Sequence, residues 1–144
     1  MPYTEFDLAQ MADATAEWLE RADALSTALL LRHFQTQRAH EFVRHGFLRR
    51  LNMLQHTHQR IFEHVPPTEL NPGREALMDA TVHLHAFFTN VFGAIDNLAH
   101  IWVLEAGVVR KNGQPFSKTD IGFSAGQKMV RDSLPESLTE KEVG

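Results

Sequence analysis

Apolar and polar residues alternate along this chain with the period of a helix. Leu8, Ala12, Leu19, Ala22 and Leu29 recur at spacings that sum to helical turns, and Thr4 with Asp7 just ahead of them has the form of a capping box. The pattern predicts a first helix from near Glu5. Its end is poorly marked, because LLLRHFQTQRAH contains neither Gly nor Pro. A break near Gln35 to Gln37 is expected because a helix running on to residue 64 would be unreasonably long. From about Arg38, the residues Val43, Phe47, Leu51, Leu54, Ile61 and Val65 mark one apolar face, with His58 filling its gap, and Pro66 and Pro67 stop the helix. Asn71, Pro72 and Gly73 make a turn. A third helix follows from about Arg74 to Ala106, with Gly107 placed as its C′ residue, which gives an antiparallel hairpin.

The third helix carries the most information. Of the 21 residues from Leu84 to Leu104, 14 are apolar, including Phe87, Phe88, Phe92 and Trp102. Asn90, Asp96, Asn97 and His100 would each be costly in lipid, so no membrane is expected to hold it. The expected place for such a helix is the centre of a bundle, wrapped by others. Three helices of one chain cover it poorly, so a fourth helix or a second subunit is called for. Beside the apolar residues runs a stripe of polar and small ones, His83, Ala86, Asn90, Gly93, Asn97 and His100, spaced alternately by three and four. Asp79 with His83, and Asp96 with His100, are pairs in which a carboxylate can orient an imidazole. The stripe reads either as a hydrogen-bonded seam fixing helix register or as a polar cleft built from His83, Asn90, Asp96, Asn97 and His100.

After Gly107, VVRKNGQPFSKTDIGF reads as a loop, and SAGQKMVRDSL as a short helix with Ser124 at its N-cap and Pro135 as its stop. Residues 136–144 are polar and expected to be disordered. The fold class is therefore all-α: one domain over residues 1–144, an antiparallel bundle of three long helices and a short C-terminal one, completed by dimerisation.

Composition adds exclusions. Cysteine is absent, which rules out a disulfide framework, a thiol nucleophile and thiolate zinc sites, and fits a reducing compartment. The N-terminus MPYTEFDLAQMADATAEW has acids where a signal peptide has bases, so a cytoplasmic location is expected. The net charge of −4 hides an alternation: −5 over residues 1–31, +4 over 32–64, −4 over 65–106 and +1 over 107–144. A basic helix lying between two acidic ones is expected to pair with both; a basic face made for RNA is the alternative.

The basic segment HEFVRHGFLRRLNMLQHTHQRIFEH contains five of the nine histidines. His40-Glu41 and His45 nearly copy a zinc-protease pattern, but one extra residue turns the second histidine away on a regular helix. The neighbours His56 and His58, and His83 and His85, also diverge, and the Glu-x-x-His pairs of di-iron bundles are missing. Phosphate loops and the GxSxG nucleophile motif are missing as well. No metal and no cofactor are expected. Arg38, His45, Arg49 and His56, spaced by seven, four and seven, form a candidate phosphate-binding strip. Chance alone supplies such Arg and His spacings in a chain this rich in both.

The stretches HEFVRHGFLRRLNMLQHTHQRIFEHVPP, FFTNVFGAIDNLAHIWVLEAG and NGQPFSKTDIGF resemble a family of uncharacterised bacterial all-α proteins associated with the HEPN superfamily of helical domains. The resemblance runs over roughly residues 38–135, and NVFGAIDNLAHIW is its most specific part. It implies a bundle that often dimerises and either cleaves RNA in a toxin or antiphage system or only binds RNA, nucleotides or a partner protein. The nucleases of that superfamily carry Arg-x4-6-His on a late helix. Here ESLTEKEVG, after Pro135, contains neither Arg nor His, so no catalytic residue is carried over. The function expected is an interaction or oligomerisation module; the alternatives are an RNA-binding or metal-independent ribonuclease domain and a metal- or small-ligand-binding bundle.

Overall fold

The computed structural model describes residues 3–139, and among these there is no strand. The fold class is all-α. The helices are α1 (Glu5–Leu31), α2 (Gln37–Glu41), a π-helical segment (Phe42–Phe47), α3 (Leu48–His64), α4 (Arg74–Glu105), α5 (Lys128–Arg131) and α6 (Glu136–Thr139), with 3-10 turns at Lys118–Asp120 and Ala125–Gln127. Packing gathers them into two compact units. The first combines the chain up to Arg32 with Leu48–Phe92, and the second combines His33–Phe47 with the chain from Gly93 onward.

Local chemistry explains the boundaries. The Thr4 hydroxyl accepts from the Asp7 N–H at 3.1 Å while the Asp7 carboxylate accepts from the Thr4 N–H at 2.8 Å, so the expected capping box starts α1. The break expected near Gln35 is present, and Thr36 is the reason that the chain becomes helical again. Its backbone is extended, and its hydroxyl accepts from the Ala39 N–H at 3.0 Å. At the far end of α4, Gly107 has φ 62°, and the Val108 N–H donates to the Val103 carbonyl at 3.1 Å, as expected of a glycine in the C′ position.

In the first unit, α1 lies on α3 with the Trp18 and His58 rings 5.1 Å apart, and Gln55 donates to the Asp23 carboxylate. Leu48, Leu51, Leu54 and Thr57 of α3 are buried there, as is Ala22 of α1. Contacts between α3 and α4 run Arg50 to Asn90 and His64 to Asp79, which makes that pair antiparallel. In the second unit, Phe34, Ala39, Val43, Phe47, Ala94, Ala99, Val103 and Val130 form the core. The Trp102 indole N–H donates to the Ser133 hydroxyl at 2.9 Å, which ties the end of α4 to the residues after α5.

Two expectations are corrected. The second helix is not one regular α-helix, since Phe42–Phe47 is π-helical. The C-terminal helix shrinks to the four residues of α5 behind a 3-10 turn, because Gln127 leaves helical geometry and spends its carboxamide on the preceding loop. Its Nε2 donates to the Thr119 and Ile121 carbonyls, and its Oε1 accepts from both the N–H and the hydroxyl of Ser124. Of the tail expected to be disordered, Glu136–Thr139 form a helical turn, and residues 140–144 lie outside the described residues.

Candidate functional site

The polar stripe of α4 is turned toward the chain's own helices. In the first unit, His83 stacks on His64 of α3 with ring centroids 5.5 Å apart, and the His56 ring stands edge-on at 6.3 Å. Asn90 accepts from the Arg50 guanidinium at 3.4 Å and donates to the Ala86 carbonyl at 2.8 Å. The Arg50 Nε is buried there with no hydrogen-bond partner among protein atoms. Asp79 does not pair with His83 as its spacing implies. It faces His64, whose Nδ1 is 3.8 Å from the carboxylate.

In the second unit the stripe continues with Asn97 and His100. The His100 imidazole lies flat on Phe42, with centroids 4.6 Å apart and planes 4° from parallel. Asn97 fills the space that Gly46 leaves in the π-helical segment: a Cβ on Gly46 would stand 2.7 Å from the Asn97 Oδ1. Asp96 is exposed and off the seam, and its charge reaches His100 without a hydrogen bond. The stripe therefore meets packed side chains rather than lining an open cleft, as a register-fixing seam would.

Burial pushes the imidazoles of His58 and His100 below the ordinary histidine range; at His100 the nearby Arg38 and Lys118 act in the same sense and Asp96 opposes them. For a histidine whose folded pKa is depressed, the unfolded chain binds the proton first. The stability tied to the neutral ring is therefore complete above pH about 6.5 and lost as pH falls below it. Thermal melts at pH 7.5 and pH 5.5 are expected to show a fall in stability on acidification, and His100→Gln with His58→Gln should shrink that fall. An unchanged pH dependence in the double variant would remove both residues from the account.

Arg38, His45, Arg49 and His56 are all exposed, the first two in the second unit and the last two in the first. The wider turn of the π-helical segment advances each residue by less than an α-helical step, so Arg38 and His45 lose the two-turn alignment their spacing implies. Arg49 and His56 do share a face of α3. His56 also lines a cleft of about 590 Å³ between α1 and α3, with His58 and Phe62. Among the described residues Arg60 bonds to Glu63 of its own helix, and Arg38, Arg44 and Arg49 form no ion pair with the acidic helices. Among the described residues no group of three or more His, Asp or Glu gathers where a metal ion could sit.

The chain's own helices leave the other face of α4 largely uncovered, as is expected where three helices of one chain must cover so apolar a surface. Leu77 is 48% exposed, Leu84 42%, Phe88 52% and Phe92 71%. Met78 and Val82 are exposed beside them. Farther along, in the second unit, Ile95 and Leu98 are exposed too. The amphipathic sense of α4 is thus inverted: the polar and small stripe packs inside and the large apolar residues face out. Periodicity showed that the two faces exist, but which of them the chain would cover depended on α3, where Arg50, His56 and His64 meet His83 and Asn90. Comparison of the chain with protein-family models, curated proteins and solved structures finds no match.

Proposed function

We propose that this chain is a HEPN-like self-association module that pairs with a second copy of itself through the apolar face of α4 within the first unit. The observation that carries this is the outward row of Leu77, Leu84 and Phe88 flanked by Met78 and Phe92. With Thr81 and Val91 the row is spaced four, three, four and three, the seam spacing by which one helix packs along another. A solvent-facing row of this size is a poor end state for a monomer.

The occupant is argued from charge. No Asp, Glu, Lys or Arg occurs between Asp79 and Asp96. Two copies related by a two-fold axis therefore bring no like charges together, and each supplies the apolar surface the other lacks. A partner with a charged face would lose solvation here and find no counter-charge. Sedimentation of the wild-type chain and of a Phe88→Asp variant tests the reading.

A second reading rests on the exposed Arg49 and His56 of α3, because arginines without ion pairs are free to meet phosphates. Under it, single-stranded RNA binds with an affinity that falls steeply with salt. Arg49→Ala should then weaken binding, flatten the log–log salt slope by about one unit or less, and leave stability nearly unchanged. Filter binding at two salt concentrations measures this, and an absence of salt-dependent RNA binding retires the reading.

A further inference from the structure

The stretch between α4 and α5 has few regular turns, yet it is firmly built. Long loops that hold one shape without regular structure are usually functional. The Gly113 N–H donates to the Arg110 carbonyl at 2.8 Å and the Arg110 N–H to the Gln114 carbonyl at 2.9 Å, so Asn112-Gly113 closes a tight turn, with Gly113 at φ 80°. Arg110 pairs with Asp120, whose carboxylate also accepts from the Ser117 hydroxyl at 2.7 Å. Gln127 bonds to Thr119, Ile121 and Ser124 at once, and Gly122 is buried against it where a side chain would displace its carboxamide.

These bonds frame a cleft of about 650 Å³, within the size range of small-molecule sites. Its wall combines two kinds of chemistry. Phe116 and Met129 are apolar, while Arg110, Lys111 and Lys128 are cationic. Asp120 neutralises Arg110, and among the described residues Lys111 and Lys128 have no ion-pair partner. The chain as a whole carries a net charge of −4, so two such lysines on one small cleft run against its average. Ammonium groups act as point charges suited to phosphate, and two of them match the charge of about −1.5 to −2 on a phosphate monoester at neutral pH. An aromatic side chain on the same wall favours a ligand with a ring.

We propose that this cleft binds a small ring-bearing phosphate monoester, with Lys111 and Lys128 on the phosphate and Phe116 and Met129 against the ring. The site lies wholly within the second unit and is independent of the α4 face and of the arginines on α3.

The test is a titration of the isotopically labelled full chain with 1-naphthyl phosphate, 1-naphthol and inorganic phosphate, followed through the backbone amide resonances. With 1-naphthyl phosphate, amides between Val108 and Met129 should shift saturably, and the other two probes should bind there at least tenfold more weakly. Replacing both lysines, Lys111→Glu with Lys128→Glu, should weaken 1-naphthyl phosphate at least tenfold. The milder pair Lys111→Gln with Lys128→Gln should weaken it several-fold while the amide spectrum elsewhere and the Trp102 fluorescence stay as in the wild type. Amides in the loop that do not move with 1-naphthyl phosphate would overturn the proposal. So would equal binding of 1-naphthol, shifts confined to α3 or α4, or an affinity indifferent to both lysine pairs.

Discussion

Phe88→Asp is expected to sediment as a monomer at concentrations where the wild-type chain is a dimer. Phe88 lies in the outward row of the first unit, one turn past its middle residue Leu84, and is half exposed in the isolated chain, so its loss removes little packing from the chain's own fold. Across a two-fold axis the same residue lies near the centre of the contact, where large aromatic side chains carry a disproportionate share of association energy. A carboxylate there has no counter-charge on the facing helix, since neither copy offers an ionised side chain between Asp79 and Asp96. Together these are expected to weaken association at least a hundredfold, about 3 kcal/mol. The melting temperature gives an independent reading: it should rise with wild-type concentration, because association stabilises the folded chain, and lose that dependence in the variant. A wild-type chain that sediments as a monomer at tens of micromolar, or a Phe88→Asp variant that remains dimeric, would remove the α4 face from the account.

Much of the fold was legible because it depends on short-range chemistry. The Thr4 and Asp7 box, the glycine after α4 and the prolines after α3 each act within a turn or two, and each stands where the residues placed it. The break between α1 and α2 was placed by length alone; Thr36, three residues before Ala39, was the local signal that would have fixed it. The π-helical segment left no such mark. Gly46 is the residue that permits it, but a glycine inside a helix has several readings, and the partner that decides among them, Asn97, lies 51 positions away in the sequence.

The candidate residues fared unevenly for the same reason. The spacing of His83, Asn90, Asn97 and His100 is carried through α4, because a regular helix preserves spacing. Asp96 is exposed on α4, and the α-helical step that the spacing of Arg38 and His45 assumes does not continue through Phe42–Phe47. The loop after α4 is legible as a loop, but its internal order is not, because that order comes from side chains bonding to backbone groups several residues away, Gln127 above all, which no periodic pattern records.

The contact between Gly46 and Asn97 makes the second large expectation. Gly46→Val is expected to destabilise the chain by about 2–3 kcal/mol, the upper range for overpacking a filled interior. A Cβ at this position would stand within 3 Å of three side-chain atoms of Asn97, and the Asn97 Nδ2 is buried. In a loose site an asparagine would swing aside at little cost, but here Phe42 stacked on His100 packs one turn away along the same two helices, which limits where the carboxamide can go. The Asn97 Nδ2 also has no hydrogen-bond partner among protein atoms, so shortening Asn97 forfeits little polar stabilisation. Asn97→Ala alone is therefore expected to cost under about 1 kcal/mol, chiefly through the small space it vacates. The double variant should recover most of what Gly46→Val loses, with a coupling of about 1–2 kcal/mol between the two sites. Chemical denaturation of the four proteins in this cycle measures it. If the two costs simply add, Asn97 yields freely and the seam does not hold α4 in register at this turn. If the cycle shows the coupling, the glycine and the asparagine act as one joint, and the stacked pair of Phe42 and His100 depends on it.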